Sequence, residues 1–319
     1  MPRYNPLGRT LIIANPAAQS GYGEVIAGRL QRFLRMYFHD LGTFELVRTE
    51  RPRHGIELAA GARGYDTVVA LGGDGVIHEV ANGLMQQPAD RRPALGLVPV
   101  GSGNDYARTL GIDDWRGEHF DRLLRCERVR MDVGRVHASG GADGERLAYF
   151  VETSSFGLDA AIAIGTEGLR RATKLRGGLL YGASGLEQFG LRFRHFPARV
   201  RLDGRDLGRK RFLLFAMQIG PTYGSGFRVC PDADPADGLF DICYASGPLP
   251  RAVALPAFLS AKDGHHTGLP FIHMARARRV ELEFDRSDYP IQTDGEQLLA
   301  KRMEVECLPR ALAVLRPVR

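Results

Sequence analysis

Short apolar runs that stop abruptly at turn residues set the pattern of the first part of the chain. Leu11-Ile12-Ile13-Ala14 ends at Asn15-Pro16, Thr67-Val68-Val69-Ala70-Leu71 ends at Gly72-Gly73, and Leu95-Gly96-Leu97-Val98 ends at Pro99. Together with Phe44 to Arg48 they read as buried strands closed by turns. Helical spacing fills the gaps between them. Val25, Ile26, Leu30, Phe33, Leu34 and Tyr37 recur within Gly21 to Asp40. His54 to Arg63 reads as a helix ended by Gly64, Val76 to Met85 as another, and a short one passes through Tyr106-Ala107-Arg108. Strand and helix in alternation predict a parallel sheet with helices on its faces, a three-layer α/β domain.

The texture changes after about Arg130. Arg130 to Val136, Leu147 to Thr153, Ala198 to Leu202, Phe212 to Ile219, Leu239 to Ala245, Arg279 to Phe284 and Glu304 to Leu308 read as strands. Two helical stretches interrupt them, about Ala160 to Phe189 and Leu249 to Ser260, and Gly140 to Glu145 reads as a hairpin loop. This predicts a second, mainly antiparallel β domain. The expected division is residues 1–130 and 131–309, with a closing strand at Leu312 to Leu315, within 310–319, returning to the first domain.

Composition narrows the setting. The chain has 319 residues, 44% hydrophobic and 25% charged, which suits a folded protein with sizeable cores. A net charge of +6 and a pI of about 9.3 suit an anionic partner: nucleotide, nucleic acid or acidic membrane. The sequence carries no groove-reading motif and no aromatic RNA-binding strand, so a nucleic-acid partner is not expected. Cys126, Cys230, Cys243 and Cys307 lie far apart with no CxxC pair, which disfavours zinc or a disulfide framework and fits the reducing cytoplasm. Met1 to Gly8 lacks a signal-peptide layout, and no apolar run is long enough to span a bilayer, so any membrane contact is expected to be peripheral.

The candidate chemistry sits in three loops that each follow a strand, and so share the carboxyl edge of the sheet where α/β ligands bind. Gly72, Gly73 and Gly75 offer close-packed backbone N–H groups at a helix start, as a phosphate chain requires. Asp74 among them would repel phosphate without a cation between, which implies Mg²⁺. Gly101-Ser102-Gly103-Asn104-Asp105 repeats the arrangement, with Ser102 and Asn104 able to bond phosphate or ribose and Asp105 able to cap the next helix or reach a metal. Asn15-Pro16 with Gly21 and Gly23 makes the third loop. The sequence has no GxxxxGK[ST], no GxGxxG followed by a ribose-binding acid, and no HRD…DFG set, which excludes P-loop, Rossmann dinucleotide and protein-kinase sites.

Ala70-Leu71-Gly72-Gly73-Asp74-Gly75 resembles the GGDGT motif of the diacylglycerol kinase catalytic superfamily, which includes sphingosine kinases and bacterial soluble lipid kinases. Pro99 to Arg108 resembles that family's P-x-G-T-x-N-D-[FL]-A-R stretch, Asn15-Pro16 its first-strand NP, and Ser155 to Ala160 its S-x-G-x-D-A segment. Asp237-Gly238 and Asp294-Gly295-Glu296 resemble its later DG and DGE elements, and the set runs in family order from residue 11 to 296. The resemblance implies a nucleotide-binding α/β domain like those of phosphofructokinase and NAD kinase, then a β-sandwich domain for the lipid. It implies ATP, Mg²⁺ and phosphorylation of a diacylglycerol-like lipid hydroxyl. Asn15, Pro16, Thr49, Gly72, Gly73, Asp74, Gly75, Glu79, Gly101, Ser102, Asn104 and Asp105 would form the nucleotide site. Asp74 and Asp105 would organise the catalytic metal, and Asp234, Asp237 and the Leu239 carbonyl a structural Mg²⁺. Asp294 would be the general base, oriented by Glu296; without the family pattern, Asp294-Gly295 reads as a hairpin turn.

Val76 stands where the family usually has threonine, Ser102 replaces a threonine, and Glu152 stands near a usual asparagine. These departures leave room for a nucleotide-binding regulatory relative with reduced activity, and the GGDG element, which NAD kinases share, leaves room for an NAD kinase-like enzyme. Arg170, Arg171, Lys174 and Arg176, then Arg192, Arg194 and His195 among Leu191, Phe193 and Phe196, suit an anionic membrane surface or a solvated face. Arg276, Arg278 and Arg279 carry the same two readings. An edge of the β domain could pair two copies as a homodimer.

Overall fold

The apolar runs of the N-terminal part align in register as one parallel ladder. In the computed structural model, β1 (Thr10–Ala14) lies between β2 (Phe44–Arg48) and β3 (Thr67–Gly72), with β4 (Ala94–Pro99) beyond β3. Ala14 pairs with both Leu71 and Arg48, and Gly72 pairs with Pro99, so four strands end level. The structure describes residues 5–38, 43–112, 119–172 and 193–318, the side chains of 167–172 excepted. The chain divides into two units, Met1–Met131 with Arg310–Arg319, and Asp132–Pro309.

In the first unit, β1, β3 and β4 are buried along their whole length, as strands covered on both faces must be. The helices are α1 (Ala18–Tyr37), α2 (His54–Ala60), α3 (Asp74–Met85), α4 (Asp105–Thr109) and α5 (Asp121–Leu124). Helix α1 starts earlier than the periodicity predicts but is broken at Gln19, Ser20 and Gly21, which all have positive φ. Helix α2 ends at Ala60, with Gly61 rather than Gly64 closing it. The last strand, β15 (Arg302–Pro317), brings Val314 beside Leu95 in parallel.

The second unit is an antiparallel β-sandwich. A sheet runs in the order β14 (Glu296–Leu298), β13 (Ile291–Thr293), β7 (Thr153–Gly157), β9 (Arg205–Gln218), β8 (Phe196–Leu202), β12 (Arg279–Phe284), then the first part of β15. β10 (Phe240–Ser246) also pairs with β9 and carries β11 (Ile272–Ala277), while β5 (Cys126–Gly141) and β6 (Gly144–Phe150) form a hairpin. One core joins them: Phe150 stacks on Phe240, and Phe156 packs against Phe212, Phe215 and Phe284. Two helices cover the other face, α6 (Leu158–Ala172) and α7 (Arg251–Ser260), their apolar residues meeting Leu213, Ala245 and Ile272. The remainder of the helical stretch expected to Phe189, the basic side chains Arg170, Arg171, Lys174, Arg176 and Arg192, and Leu191 lie outside the described residues.

The expected strand Leu147 to Thr153 is two strands. β6 stops at Phe150 and β7 begins at Thr153, because the N–H groups of Val151, Glu152 and Thr153 turn toward the Asp294 carboxylate.

Candidate active site

Level strand ends bring the three loops of the first unit together. Asn15 N–H donates to Leu71 O at 2.8 Å and Thr49 N–H to Ala14 O at 2.8 Å, which ties both to the carboxyl edge. The Asn15 side chain accepts the Ala17 N–H at 3.0 Å and tightens the turn after β1. From the broken start of α1, Gln19 Nε2 donates to the Gly101 carbonyl at 2.7 Å. Gly73 and Gly101 meet backbone to backbone: a Cβ on Gly101 would lie 2.7 Å from Gly73 Cα, and one on Gly73 3.1 Å from Gly101 Cα. These two glycines are therefore required by the contact between loops, before any ligand is considered.

Asp74 has a structural task that its sequence position did not disclose. Its Oδ2 accepts the Asn104 N–H at 2.8 Å and its Oδ1 the Asp105 N–H at 3.0 Å, so the carboxylate caps the start of α4 and ties the Gly72–Gly75 loop to the Gly101–Asp105 loop. Asn104 is left-handed, with φ 54, which directs its own N–H and that of Asp105 at the same carboxylate. Asp105 is buried and accepts from Arg108 Nη1 at 2.6 Å. A Cβ on Gly103 would meet Asp74 Oδ2 at 2.6 Å and Asp105 Oδ2 at 3.3 Å, so both acids face this glycine. Among the described residues, no group of three or more acidic, histidine or cysteine side chains gathers as a metal site.

Two features of this edge are unsatisfied by the protein itself. A Cβ on Gly75 would have no described neighbour within 4 Å, unlike those on Gly72, Gly73, Gly101 and Gly103. Asn104 Oδ1 is buried and has no hydrogen-bond partner among the described residues. Ser102 is exposed on the same loop. Val76 is buried, and its Cγ1 lies 2.4 Å from where a Gly72 Cβ would sit. Valine, which has the shape of threonine, keeps this packing. Glu79 is placed differently from the expectation that it joins the nucleotide site: its carboxylate accepts the Arg53 and Gly55 N–H groups, both at 2.9 Å, and so caps α2.

In the second unit Asp294 forms the β13–β14 turn with Gly295, φ 48 and 93, the hairpin that the dipeptide predicts. The turn is also a clamp. Asp294 Oδ2 accepts from Val151 N–H at 2.9 Å, and Oδ1 from Glu152 and Thr153 N–H at 3.1 and 3.0 Å. The orienting role expected of Glu296 is filled by these backbone donors; Glu296 itself is exposed on β14.

The residues of the expected structural metal set are each engaged within the protein. Asp234 and Asp237 each accept the N–H two residues on, from Ala236 and Leu239 at 3.0 Å, and Asp237 is ion-paired with Arg276. The Arg276 to Arg279 run is likewise tied to acids, with Arg276 also facing Asp241 and Arg279 facing Glu304. Asp241 is pushed up to about 6, by burial first and then by Asp232 and Asp234.

Two polar residues, Gln19 and Asp132, escaped the sequence reading, and a third, Asp159, entered it only as part of the S-x-G-x-D-A resemblance. Gln19 bridges two loops, as described. Asp132 is wholly buried, and its Oδ2 accepts the Gly238 N–H at 2.6 Å, which fixes the Asp234–Leu239 loop; an acid between Met131 and Val133 in an expected strand was the signal. Asp159, at the start of α6, accepts from Tyr223 OH at 2.6 Å and bonds Ser155, whose Oγ accepts from Gln292 Nε2 at 2.8 Å. Gln292 Oε1 in turn accepts the Gly295 N–H at 2.8 Å, so a line of hydrogen bonds runs from the Asp294 turn to Asp159.

Burial pushes Asp159 up to about 6, with the bonds to Ser155 and Tyr223 acting against it. Between about pH 4 and 6 the unfolded chain therefore releases this proton before the folded one does. Stability should fall as pH rises through that window, by on the order of 2–3 kcal/mol from this group. Thermal unfolding at both ends of the window checks it: Asp159→Asn is expected to lose less stability than the natural chain on going to neutral pH. An equal loss in both would contradict the assignment.

The diacylglycerol kinase catalytic domain family matches residues 9–136, and the YegS C-terminal NAD kinase beta sandwich-like domain family matches residues 152–316. The chain belongs to the diacylglycerol kinase catalytic superfamily. Within it, a diacylglycerol kinase of Mycobacterium tuberculosis is 28% identical, over 99% of this chain and 97% of that one. The protein of Stenotrophomonas maltophilia named "Probable lipid kinase YegS-like" is 31% identical over 77% of both chains. The crystal structure of a diacylglycerol kinase from Bacillus anthracis has the same fold, with a TM-score of 0.75 over 98% of both chains at 20% identity.

Proposed function

We propose that the chain is an ATP-dependent kinase that phosphorylates a lipid hydroxyl of diacylglycerol type. The observation that carries this reading is the convergence of Asn15, Gly72–Gly75 and Gly101–Asp105 at one sheet edge, with open space over Gly75. A turn built only to join strand and helix would not need an uncovered glycine at the head of a twelve-residue helix. The helix start directs N–H groups and a favourable dipole toward phosphate oxygens there. The buried Asn104 Oδ1 supplies an acceptor for a ligand donor. The glycine N–H groups thus suit a nucleotide's phosphate chain, and Asn104 Oδ1 suits a donor elsewhere on the nucleotide, such as a ribose hydroxyl.

Mg²⁺ commonly binds through one or two carboxylates together with substrate phosphates. Asp74 and Asp105, which both face Gly103, fit that role, and the metal would supply charge neutralisation for the transferred group. The chain's own residues then have separate tasks. The N-terminus of α3 and the Gly101–Asp105 loop bind and orient phosphate, while Asp74 holds the two loops in fixed relation. Asp294 takes the proton from the acceptor hydroxyl as it attacks the γ-phosphorus and the bond to the β–γ bridging oxygen breaks, releasing ADP, and its three backbone donors hold the carboxylate in position. The test is transfer of label from γ-labelled ATP to a chloroform-soluble product made from total lipid extract. Label moving to NAD instead would favour the NAD kinase-like alternative; nucleotide binding with transfer to neither would favour a regulatory relative.

Gly75→Ala separates this reading from a structural one. Its Cβ meets open space, so the folded protein should lose no stability, and should gain a few tenths to about 1 kcal/mol from helix propensity. ATP affinity is nonetheless expected to fall about tenfold or more, since the methyl group occupies the phosphate's place. Unchanged ATP affinity in a titration would remove the phosphate site from Gly75.

A further inference from the structure

Helix α7 exposes one leucine- and valine-bearing face and covers the other. At the helical period, Ala254, Ala257 and Phe258 share one face, and Ala252, Val253, Leu255, Pro256 and Leu259 share the opposite one. The first face packs against Leu158 and Ile162 of α6, Leu213 of β9 and Ile272 of β11. The second is open, with Val253, Leu255 and Leu259 38%, 43% and 59% exposed. Single exposed leucines are ordinary, but a contiguous apolar face is not. Met274 of β11, on the same side of that strand as Ile272, is 42% exposed.

The charges around the patch have one dominant sign. No charged residue occurs from Ala252 to Ala261, whereas Arg251 opens the helix and Lys262 follows it. Exposed Arg228 is fixed beside the helix end by its N–H bond to Ala261 O at 2.9 Å. The Arg251 guanidinium lies 5.5 Å from the Phe193 ring centroid, and Lys262 Nζ 5.1 Å from that of Phe227. Asp263 is an acid on this rim. Arginine at a helix N-terminus opposes the helix dipole, so Arg251 is not there to stabilise the helix.

We propose that the outward face of α7 seats the protein on an anionic lipid bilayer. Leu255, Leu259 and Val253 enter the boundary between headgroups and acyl chains, and Arg251, Lys262 and Arg228 meet lipid phosphates. The helix, about 15 Å long, lies in the plane of the surface. This rests on the lipid-kinase reading for its purpose, since the acceptor then resides in a membrane. A second copy of the chain suits the patch less well. A stable dimer buries about 800 Å² on each partner, more than one face of a ten-residue helix supplies, and its symmetry would set basic rim against basic rim.

The test is sedimentation with vesicles of phosphatidylcholine, alone or with about a quarter phosphatidylglycerol. The natural protein should bind the anionic vesicles more tightly and lose part of that binding at about 0.5 M salt. The double variant Leu255→Glu, Leu259→Glu alters only exposed positions and should keep its thermal unfolding profile. It should bind anionic vesicles at least tenfold more weakly. Arg251→Gln and Lys262→Gln should each weaken binding roughly fivefold. Phosphorylation of a short-chain diacylglycerol in free solution should be the same in the double variant as in the natural protein. Undiminished vesicle binding by the double variant overturns the proposal. So does light scattering that shows a dimer which the double variant splits, with vesicle binding unaltered. A natural protein that phosphorylates no lipid yet still needs Leu255 and Leu259 for vesicles would remove the kinase reading and support the docking surface.

Discussion

Asp294→Asn is expected to lower phosphoryl transfer by roughly two to four orders of magnitude while ATP affinity stays within about twofold. Asparagine suits the left-handed backbone at this position, φ 48, so the hairpin itself should persist. Two properties are lost together. The amide cannot take the proton of the attacking hydroxyl. Its NH₂ must also face one of the N–H groups of Val151, Glu152 or Thr153, donor against donor, which costs about 1–3 kcal/mol. Thermal unfolding measures the second loss, and kcat at saturating ATP measures the first. Asp294→Asn with near-normal kcat would end the assignment of Asp294 as base. Because its groups belong to the second unit, ATP titration should not register the change.

Asp74→Asn should have the opposite signature, a loss of ATP binding of about a hundredfold. The carboxylate satisfies the first two N–H groups of the Gly101–Asp105 loop's helix at once, and an amide can accept only one of them. The unsatisfied N–H costs about 1–3 kcal/mol, and the loop that should meet phosphate loses its fixed relation to Gly73. Asp105→Asn, by comparison, keeps that clamp. If Asp74 acts only on the metal, the two variants should respond alike to raised Mg²⁺ concentration. If it also clamps the loops, excess Mg²⁺ should rescue Asp105→Asn further than Asp74→Asn.

Residues close in sequence were legible where a physical rule linked them. Apolar runs that stop at Asn15-Pro16, Gly72-Gly73 and Pro99 announce strand ends, and level ends follow from parallel register. Asp294-Gly295 announces a hairpin. Other features depend on partners that only the fold brings together. The donors to Asp74 lie about thirty residues away, and those to Asp294 more than one hundred and forty. Sequence alone therefore read Asp74 as a sign of metal and missed its role as a cap. It read Glu79 with the nucleotide, whereas the carboxylate closes the start of α2. It read one strand through Val151 and Glu152, where the demands of a distant carboxylate break the ladder. Helix α7 was found within two residues of its start, but nothing in its spacing told which face would be covered.

The central claim is best tested by following one phosphoryl group. With γ-labelled ATP and Mg²⁺ bound to the natural protein, addition of total lipid extract should carry label into the organic phase. Asp294→Asn, with ATP bound equally well, should leave the label in water. Label that stays on the nucleotide in the natural protein, whatever lipid fraction is added, would contradict the account.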